Sequence, residues 1–287
     1  MKGVKELKQR LKSVANIQKI TKAMEMVAAT KLRRLQDRAL STRPFAQKIE
    51  GMIRRVSAHV DPSFSPLLQQ PDKVESEAVI VVAADRGLCG SYNSNVFRRT
   101  LTHLGALETE GVAPKILVFG NRAQIFASKL SGIEITHVHP GALEKIAYAD
   151  VRRLVADLSR GFLSGDYQRV RMVYTTMKSM ASFAPTTVDL LPVPGQEEGE
   201  ASTDYILEPS PTAIMERLLP RYLEMQIFAH VLEALASEFA ARRMAMKSAT
   251  DNADEMIGEL RMEYNKARQT GITADLLDIV GGAEALA

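Results

Sequence analysis

Asp85-Arg86-Gly87-Leu88-Cys89-Gly90-Ser91 is the stretch whose residue types best suit chemistry. It follows an apolar run, Ala78 to Ala83, and precedes a helical pattern from Asn93, where the amides of a helix start can cradle a phosphate. It has no lysine and no GxxxxGK[ST] spacing, and its glycines do not fit GxGxxG. Two readings stay open: a glycine turn with Ser91 or Asn93 as helix cap, or a loop for a small anionic ligand. Cys89 lies near a helix start that would favour a thiolate, but no base stands beside it, so a small buried thiol is the other reading. His137 and His139 alternate on one strand face and lack a third metal ligand at suitable spacing; His59, His103 and His230 are scattered. No carboxylate stands isolated in an apolar pattern where burial would raise its pKa for acid catalysis. The residue pattern thus points to no metal site, no cofactor and no active site of the chain's own.

Charge is the second chemical signal. The net charge of +3 divides unevenly: residues 1–55 hold 15 Lys and Arg against Glu6, Glu25, Asp37 and Glu50, while residues 56–208 and 209–287 are each at −4. A segment at +11 implies an acidic partner, which could be nucleic acid, anionic lipid or an acidic protein face. Nucleic-acid binding needs stacking aromatics or a reading module, and the first 44 residues contain no aromatic, so a solvated or protein-facing helix is the better reading. No run of 18 apolar residues could span a bilayer, and lysines through the first 22 residues exclude a secretory signal. The single cysteine excludes an intrachain disulfide.

The elements that must position these residues come in two kinds. Leu7, Leu11, Val14, Ile17, Ile20, Met24 and Val27, then Leu32 and Leu35, recur in steps of three and four, which predicts a long N-terminal helix with a narrow coiled-coil seam. Three successive steps of three, from Leu11 to Ile20, would overwind it locally. From Pro211 a second seam runs through Leu218, Tyr222, Met225, Phe228, Leu232, Leu235, Phe239, Arg242, Met246 and Ala249, then Met256, Leu260, Tyr264 and Ala267. Pro220 should kink this helix or mark its entry. As one helix, residues 212–280 would be roughly 100 Å long, which suggests an antiparallel pair with an inserted domain. Between the seams, short β-branched runs at Ala78–Ala83, Lys115–Phe119, Ile133–Val138 and Val170–Tyr174 alternate with helical patterns at Asn93–Leu107, Arg122–Leu130 and Leu143–Phe162. Such alternation predicts an α/β, Rossmann-like domain with buried parallel strands. The expected divisions are a helix over 1–60, a linker over 61–75, the α/β domain over 76–195, an acidic linker over 196–210 and a helix over 211–287.

Four motifs carry a resemblance. The opening Met1-Lys2-Gly3-Val4-Lys5-Glu6-Leu7 with Ile17-Gln18-Lys19-Ile20-Thr21-Lys22-Ala23-Met24-Glu25-Met26-Val27-Ala28-Ala29-Thr30-Lys31 closely resembles the start of the gamma subunit of F-type ATP synthases. The Asp85–Gly90 loop, the Ala245–Ala253 stretch, and Tyr264–Gln269 through Ile272-Thr273 to Ile279–Ala283 are similar to that family's other hallmarks, in the same order. The resemblance covers essentially the whole chain. It implies a rotor: an antiparallel coiled coil inside a ring of alpha and beta subunits, with the α/β domain at the foot beside epsilon and the membrane ring of c subunits. Rotation would couple proton flow to ATP synthesis or hydrolysis on beta, with no nucleic acid and no cofactor involved. It further implies that Arg268 and Gln269 grip a beta loop, that Lys31, Arg33 and Arg34 meet an acidic segment of beta, and that Met24, Met26, Met244 and Met246 belong to the sliding shaft. Asp85, Arg86, Gly87 and Cys89 would form a loop of the foot. The rival readings are a coiled-coil α/β module binding an anionic ligand at Asp85–Ser91, and a nucleic-acid binder. Departures are Ser91, where the family often has glycine, and Gly271, where it usually has a better helix former. With Cys89 alone, the redox switch of chloroplast members is impossible. Length and the lack of a transit segment fit a bacterial enzyme at the cytoplasmic face of the inner membrane.

Overall fold

The computed structural model describes residues 2–57, 60–61, 64–179, 182–193 and 208–284. His59, Pro62 and residues 196–207 of the expected acidic linker over 196–210 lie outside the described residues. Two long helices bracket the chain, α1 (Lys2–Ser57) and α5 (Pro211–Glu284). Between them run β1 (Ser76–Val82), α2 (Tyr92–Glu110), β2 (Ala113–Phe119), α3 (Asn121–Ala127), β3 (Glu134–Val138), a 3-10 turn at Leu143–Lys145, α4 (Tyr148–Leu163), β4 (Arg169–Ser179) and β5 (Ser182–Leu191).

The strands form one sheet in the order β3-β2-β1-β4-β5, with β1, β2, β3 and β4 parallel and β5 antiparallel at the edge. The parallel strands match the Rossmann-like expectation. β5 does not: Pro185 lies inside it, opposite Thr175, and proline removes a ladder donor. An edge position tolerates that loss, which is why a proline-interrupted segment could pair there. On one face, Val79 and Val81 of β1 pack with Val96, Leu104 and Leu107 of α2, Ile116 and Val118 of β2, and Val173 of β4.

The chain divides into two compact units, residues 30–241 and residues 1–29 with 242–287. This cut differs from the sequence-based divisions, because residues 30–57 and 211–241 of the long helices belong with the sheet. The reason is visible in α5, where Leu223, Ile227, Val231, Leu232, Leu235 and Phe239 are all buried. Ser210 caps this helix, its Oγ accepting the Ala213 amide at 3.2 Å, and Pro211 takes the first turn, where its missing N–H is no loss. Pro220 lies inside the continuing helix, so the entry is at Pro211.

In the other unit the seam departs from the apolar pattern. Over residues 3–29 of α1 the buried and half-buried positions are Val4, Leu7, Leu11, Val14, Gln18, Thr21, Glu25 and Ala28, in alternating steps of three and four, with Ala15, Met24 and Ala29 half-buried on the flanks. Ile17, Ile20 and Val27 are instead 54%, 59% and 55% exposed. The expected run of three threes does not occur, because an unbroken heptad keeps Leu7, Leu11 and Val14 facing the partner without local overwinding. On α5, Met246, Thr250, Ala253 and Ile257 are buried and Leu260, Tyr264 and Ala267 half-buried, while Met256 is 49% exposed.

Candidate functional site

In doubly wound sheets ligands bind beyond the carboxyl ends of the strands, where neighbouring connections diverge. Here that point lies after β1, whose neighbours are β2 and β4, and it holds the Asp85–Ser91 loop. The loop's polar groups are turned onto the chain itself. The Asp85 carboxylate accepts the amides of Leu143 at 2.8 Å and Asn121 at 3.2 Å. Asn93 accepts the Ala84 amide at 3.0 Å and donates to Cys89 Sγ at 3.3 Å; the thiol is 1% exposed and lies 3.8 Å from the Arg86 carbonyl. Tyr92 donates to the Ala234 carbonyl of α5 at 3.0 Å, and Ala241 packs on Ala84, Cys89 and Tyr92. The chain's own α5 therefore covers the crevice an anionic ligand would need. Cys89 is a packed thiol without an adjacent base, and Leu88 is the outward tip, 62% exposed with φ 65°.

The remaining candidate groups are likewise held in place. His139 stacks on Phe119 at 5.1 Å and His137 lies tilted over the same ring at 6.0 Å; burial lowers the pKa of both, which disfavours the imidazolium form. Among the described residues no three His, Cys, Asp or Glu gather as a metal site. Carboxylates do occur in apolar surroundings, contrary to the sequence pattern. Glu77 is fully buried at the start of β1, paired with Arg169 and with His103 Nε2 at 2.5 Å, and Arg171 lies 3.7 Å away. Glu233 sits in the apolar run of α5, its pKa raised by burial, accepting from Tyr174 Oη at 3.3 Å and the Met177 amide at 3.4 Å. Their signal was an acid inside an apolar run, Val231-Leu232-Glu233-Ala234-Leu235 for the second. Each is matched by donors, which makes it a strut rather than a reagent.

The helical pair presents a different kind of surface. Thr250 Oγ1 donates to Thr21 Oγ1 at 2.8 Å and Gln18 Nε2 to Asp254 at 2.6 Å, fixing the antiparallel register. The same register brings Val4 level with Ala267, so α5 continues past the start of α1. Arg268 and Gln269 are exposed there, followed by Ile272, Leu276, Leu277, Ile279 and Val280, each at least 52% exposed. Of the four methionines expected on the shaft surface, Met26 and Met244 are 58% and 44% exposed and Met24 is half-buried. Met246, at 5%, belongs to the seam.

In the sheet-bearing unit Arg33 and Arg34 are exposed. Lys31 is half-buried, its Nζ 2.6 Å from Glu144 and 5.3 Å from the Phe239 ring centre. A side chain drawn between an acid and an aromatic face has its charge already matched. Arg86 is exposed and Gly87 half-buried on the Asp85 loop.

An uncovered apolar helix end, exposed basic residues and a ligand crevice filled by the chain's own helix define a protein that works through surfaces offered to other chains. Residues 3–286 match the family described as ATP synthase, and the chain belongs to it. It is 40% identical to the ATP synthase gamma chain of Chlorobaculum tepidum, over all of this chain and 99% of that one. It is also 40% identical to that of Glaesserella parasuis serovar 5, over the full length of both. The rotor of Euglena gracilis mitochondrial ATP synthase has the same fold, with a TM-score of 0.64 at 17% identity over 94% of this chain and 99% of that one. So does a chain of the central stalk and c-ring structure of Tetrahymena thermophila mitochondrial ATP synthase, with a TM-score of 0.58 at 22% identity over 80% and 99%. Among the described residues no helix is long and apolar enough to cross a membrane.

Proposed function

We propose that this chain is the central-stalk rotor subunit of an F-type ATP synthase, turning proton flow through a membrane ring into conformational change at nucleotide sites on other subunits. The observation that carries the reading is the end of α5, where Ile272, Leu276, Leu277, Ile279 and Val280 stand on a helix continuing past α1. Five large apolar side chains in water on a lone helix call for a surrounding surface, and a ring of subunits supplies one. Adenine-nucleotide chemistry belongs to the beta subunits, and this chain contributes no catalytic residue and binds no cofactor. Its partners are alpha and beta around the helical pair, with epsilon and the c ring at the α/β domain, at the cytoplasmic face of a bacterial inner membrane.

Within this reading Arg268 and Gln269 are the grip on a beta loop, the guanidinium fork suiting a carboxylate. Arg33 and Arg34, with Lys31 beside its Glu144 partner, face the acidic segment of beta. Met24, Met26 and Met244 supply a soft, adaptable bearing. The Asp85–Cys89 loop, held under α5 with Leu88 at its tip, is part of the foot. Recovery of the tagged chain from its host should bring alpha and beta ATPase subunits with it; recovery without them refutes the rotor. In the recovered complex, replacing Arg268 and Gln269 with alanine should lower ATP-driven proton pumping without shifting the melting of the helices, since both side chains are exposed. Unchanged pumping removes the grip.

A further inference from the structure

Six residues, from the 3-10 turn at Leu143 to Tyr148 at the start of α4, touch three other parts of the chain. The Leu143 amide donates to Asp85 of the loop after β1, and the Leu143 side chain is fully buried. Glu144 pairs with Lys31 of α1 at 2.6 Å. The Ile146 carbonyl accepts from Arg38 Nη2, also on α1, at 2.8 Å. Tyr148 donates to Glu224 of α5 at 2.5 Å and sets its ring edge-on to Phe228, with centroids 5.6 Å apart at 90°. Phe228 also lies under the Arg38 guanidinium, 5.0 Å from its ring centre. Glu224 is buried and braced from its own helix by Arg221 at 3.0 Å.

Through Asp85 the segment is fixed to the loop after the central strand, through Lys31 and Arg38 to α1, and through Tyr148 to α5. Arg38 and Tyr148 meet on Phe228, so α1, α4 and α5 share one side chain. Such a node resists sliding of either helix relative to the sheet, because any shift must break a directional hydrogen bond and a ring contact together.

We propose that segment 143–148, with Arg38 and Tyr148 as its positioning residues, is the joint that makes the α/β domain turn as one body with the stretches of α1 and α5 packed on it, residues 30–57 and 211–241. The proposal rests on the rotor reading, since only a rotor must pass torque from the α/β domain into the helices. The test uses the full chain assembled with its partner subunits in membrane vesicles. Arg38→Met keeps the apolar stem over Phe228 and removes the guanidinium, and Tyr148→Phe keeps the ring and removes the hydroxyl. The double variant should assemble and hydrolyse ATP, yet pump fewer protons per ATP and show wider angular fluctuation of the shaft when its catalytic end is held. Each lost hydrogen bond of ordinary strength raises the released population about fivefold, so the two lost in the double variant raise it about thirtyfold. Arg38→Lys, which can still donate to the Ile146 carbonyl and place charge on Phe228, should restore most of the pumping ratio. Wild-type pumping per ATP in the double variant overturns the joint. So does a pumping loss that follows lost assembly and is not rescued by lysine. If the unaltered chain fails to co-purify with ATPase subunits, it is the rotor reading that falls instead.

Discussion

Gly120→Ala should be among the most damaging single-methyl changes in the α/β domain, and the reason lies between two backbones. Gly120 ends β2 with φ 91°, and a Cβ there would sit 2.1 Å from the Ala83 carbonyl oxygen and 3.0 Å from its carbon. A tolerable contact needs at least 3.0 Å to that oxygen, so the ends of β1 and β2 must part by nearly an ångström. That motion opposes the bonds Ala83 N to Phe119 O and Arg122 N to Ala84 O, both 3.0 Å. A left-handed non-glycine residue costs roughly 1–2 kcal/mol, overpacking about 1–3 kcal/mol, and two weakened hydrogen bonds about 1 kcal/mol each. The total is about 4–7 kcal/mol, or roughly 8–28 °C in melting temperature at 2–4 °C per kcal/mol. Gly111→Ala is the control: φ is 72°, but no atom lies within 4 Å of the added Cβ, so only the left-handed strain of roughly 1–2 kcal/mol remains. Thermal unfolding of both variants by far-ultraviolet circular dichroism separates the effects. If Gly120→Ala melts no lower than Gly111→Ala, the close approach of the two strand ends is not what requires glycine.

Two further expectations follow from single contacts. His230 packs its ring 4.7 Å from that of Tyr174, and burial pushes its pKa down to about 4. A histidine neutral in the folded state stabilises it above the ordinary value near 6.5, and that contribution fades as pH falls toward 4, by at most about 3 kcal/mol. Glu233, raised by burial on the same helix, has the opposite sign and weakens the fold as pH rises through its ordinary range. The stability of His230→Phe should therefore fall less steeply between pH 6.5 and 4 than that of the unaltered chain, measured by urea unfolding; parallel curves would show that His230 does not titrate against the fold. In the helical pair, Thr21→Val with Thr250→Val removes both partners of the 2.8 Å bond at constant shape. Because nothing is left unsatisfied, the thermal midpoint should hold or rise, whereas Thr250→Asp, a charge facing Thr21, should lower it by several kcal/mol. A large loss in the double valine variant would mean that the hydroxyl pair supplies net stability.

The sequence made the fold class legible wherever one periodicity dominated. Runs such as Ala78–Val82 and Lys115–Phe119 are buried on both faces, and nothing competes with a parallel strand there. Two elements were hidden by local rules that tertiary context overrides. β5 carries Pro185, a breaker except at an edge, and whether a segment is an edge depends on strand order. The seam of α1 was masked by Ile17, Ile20 and Val27, which form a more apolar stripe than Gln18, Thr21 and Glu25. A helix buries the stripe in phase with its anchored leucines even where another is greasier, provided the polar layer is satisfied. The candidate site was legible in part for the same reason: exposure at Arg33, Arg34 and Arg268 could be guessed from charge and at Gln269 from polarity, but the Lys31 ion pair could not, since its partner Glu144 is more than a hundred residues away.

The misplaced seam bears on function. Had α1 turned Ile17, Ile20 and Val27 toward α5, the helical pair would close on itself and present Gln18 and Glu25 outward. The heptad instead leaves three β-branched apolar side chains in water, each more than half exposed. Burying such a side chain fully gains about 1.5–3 kcal/mol, so a chain that leaves three uncovered and carries a polar layer in its own seam is less stable alone than its composition allows. A surface of another subunit laid on the stripe would recover that deficit. A pair of helices that completes its burial only against its surroundings can exchange one covering surface for another without unfolding, which is what a shaft turning inside a ring requires.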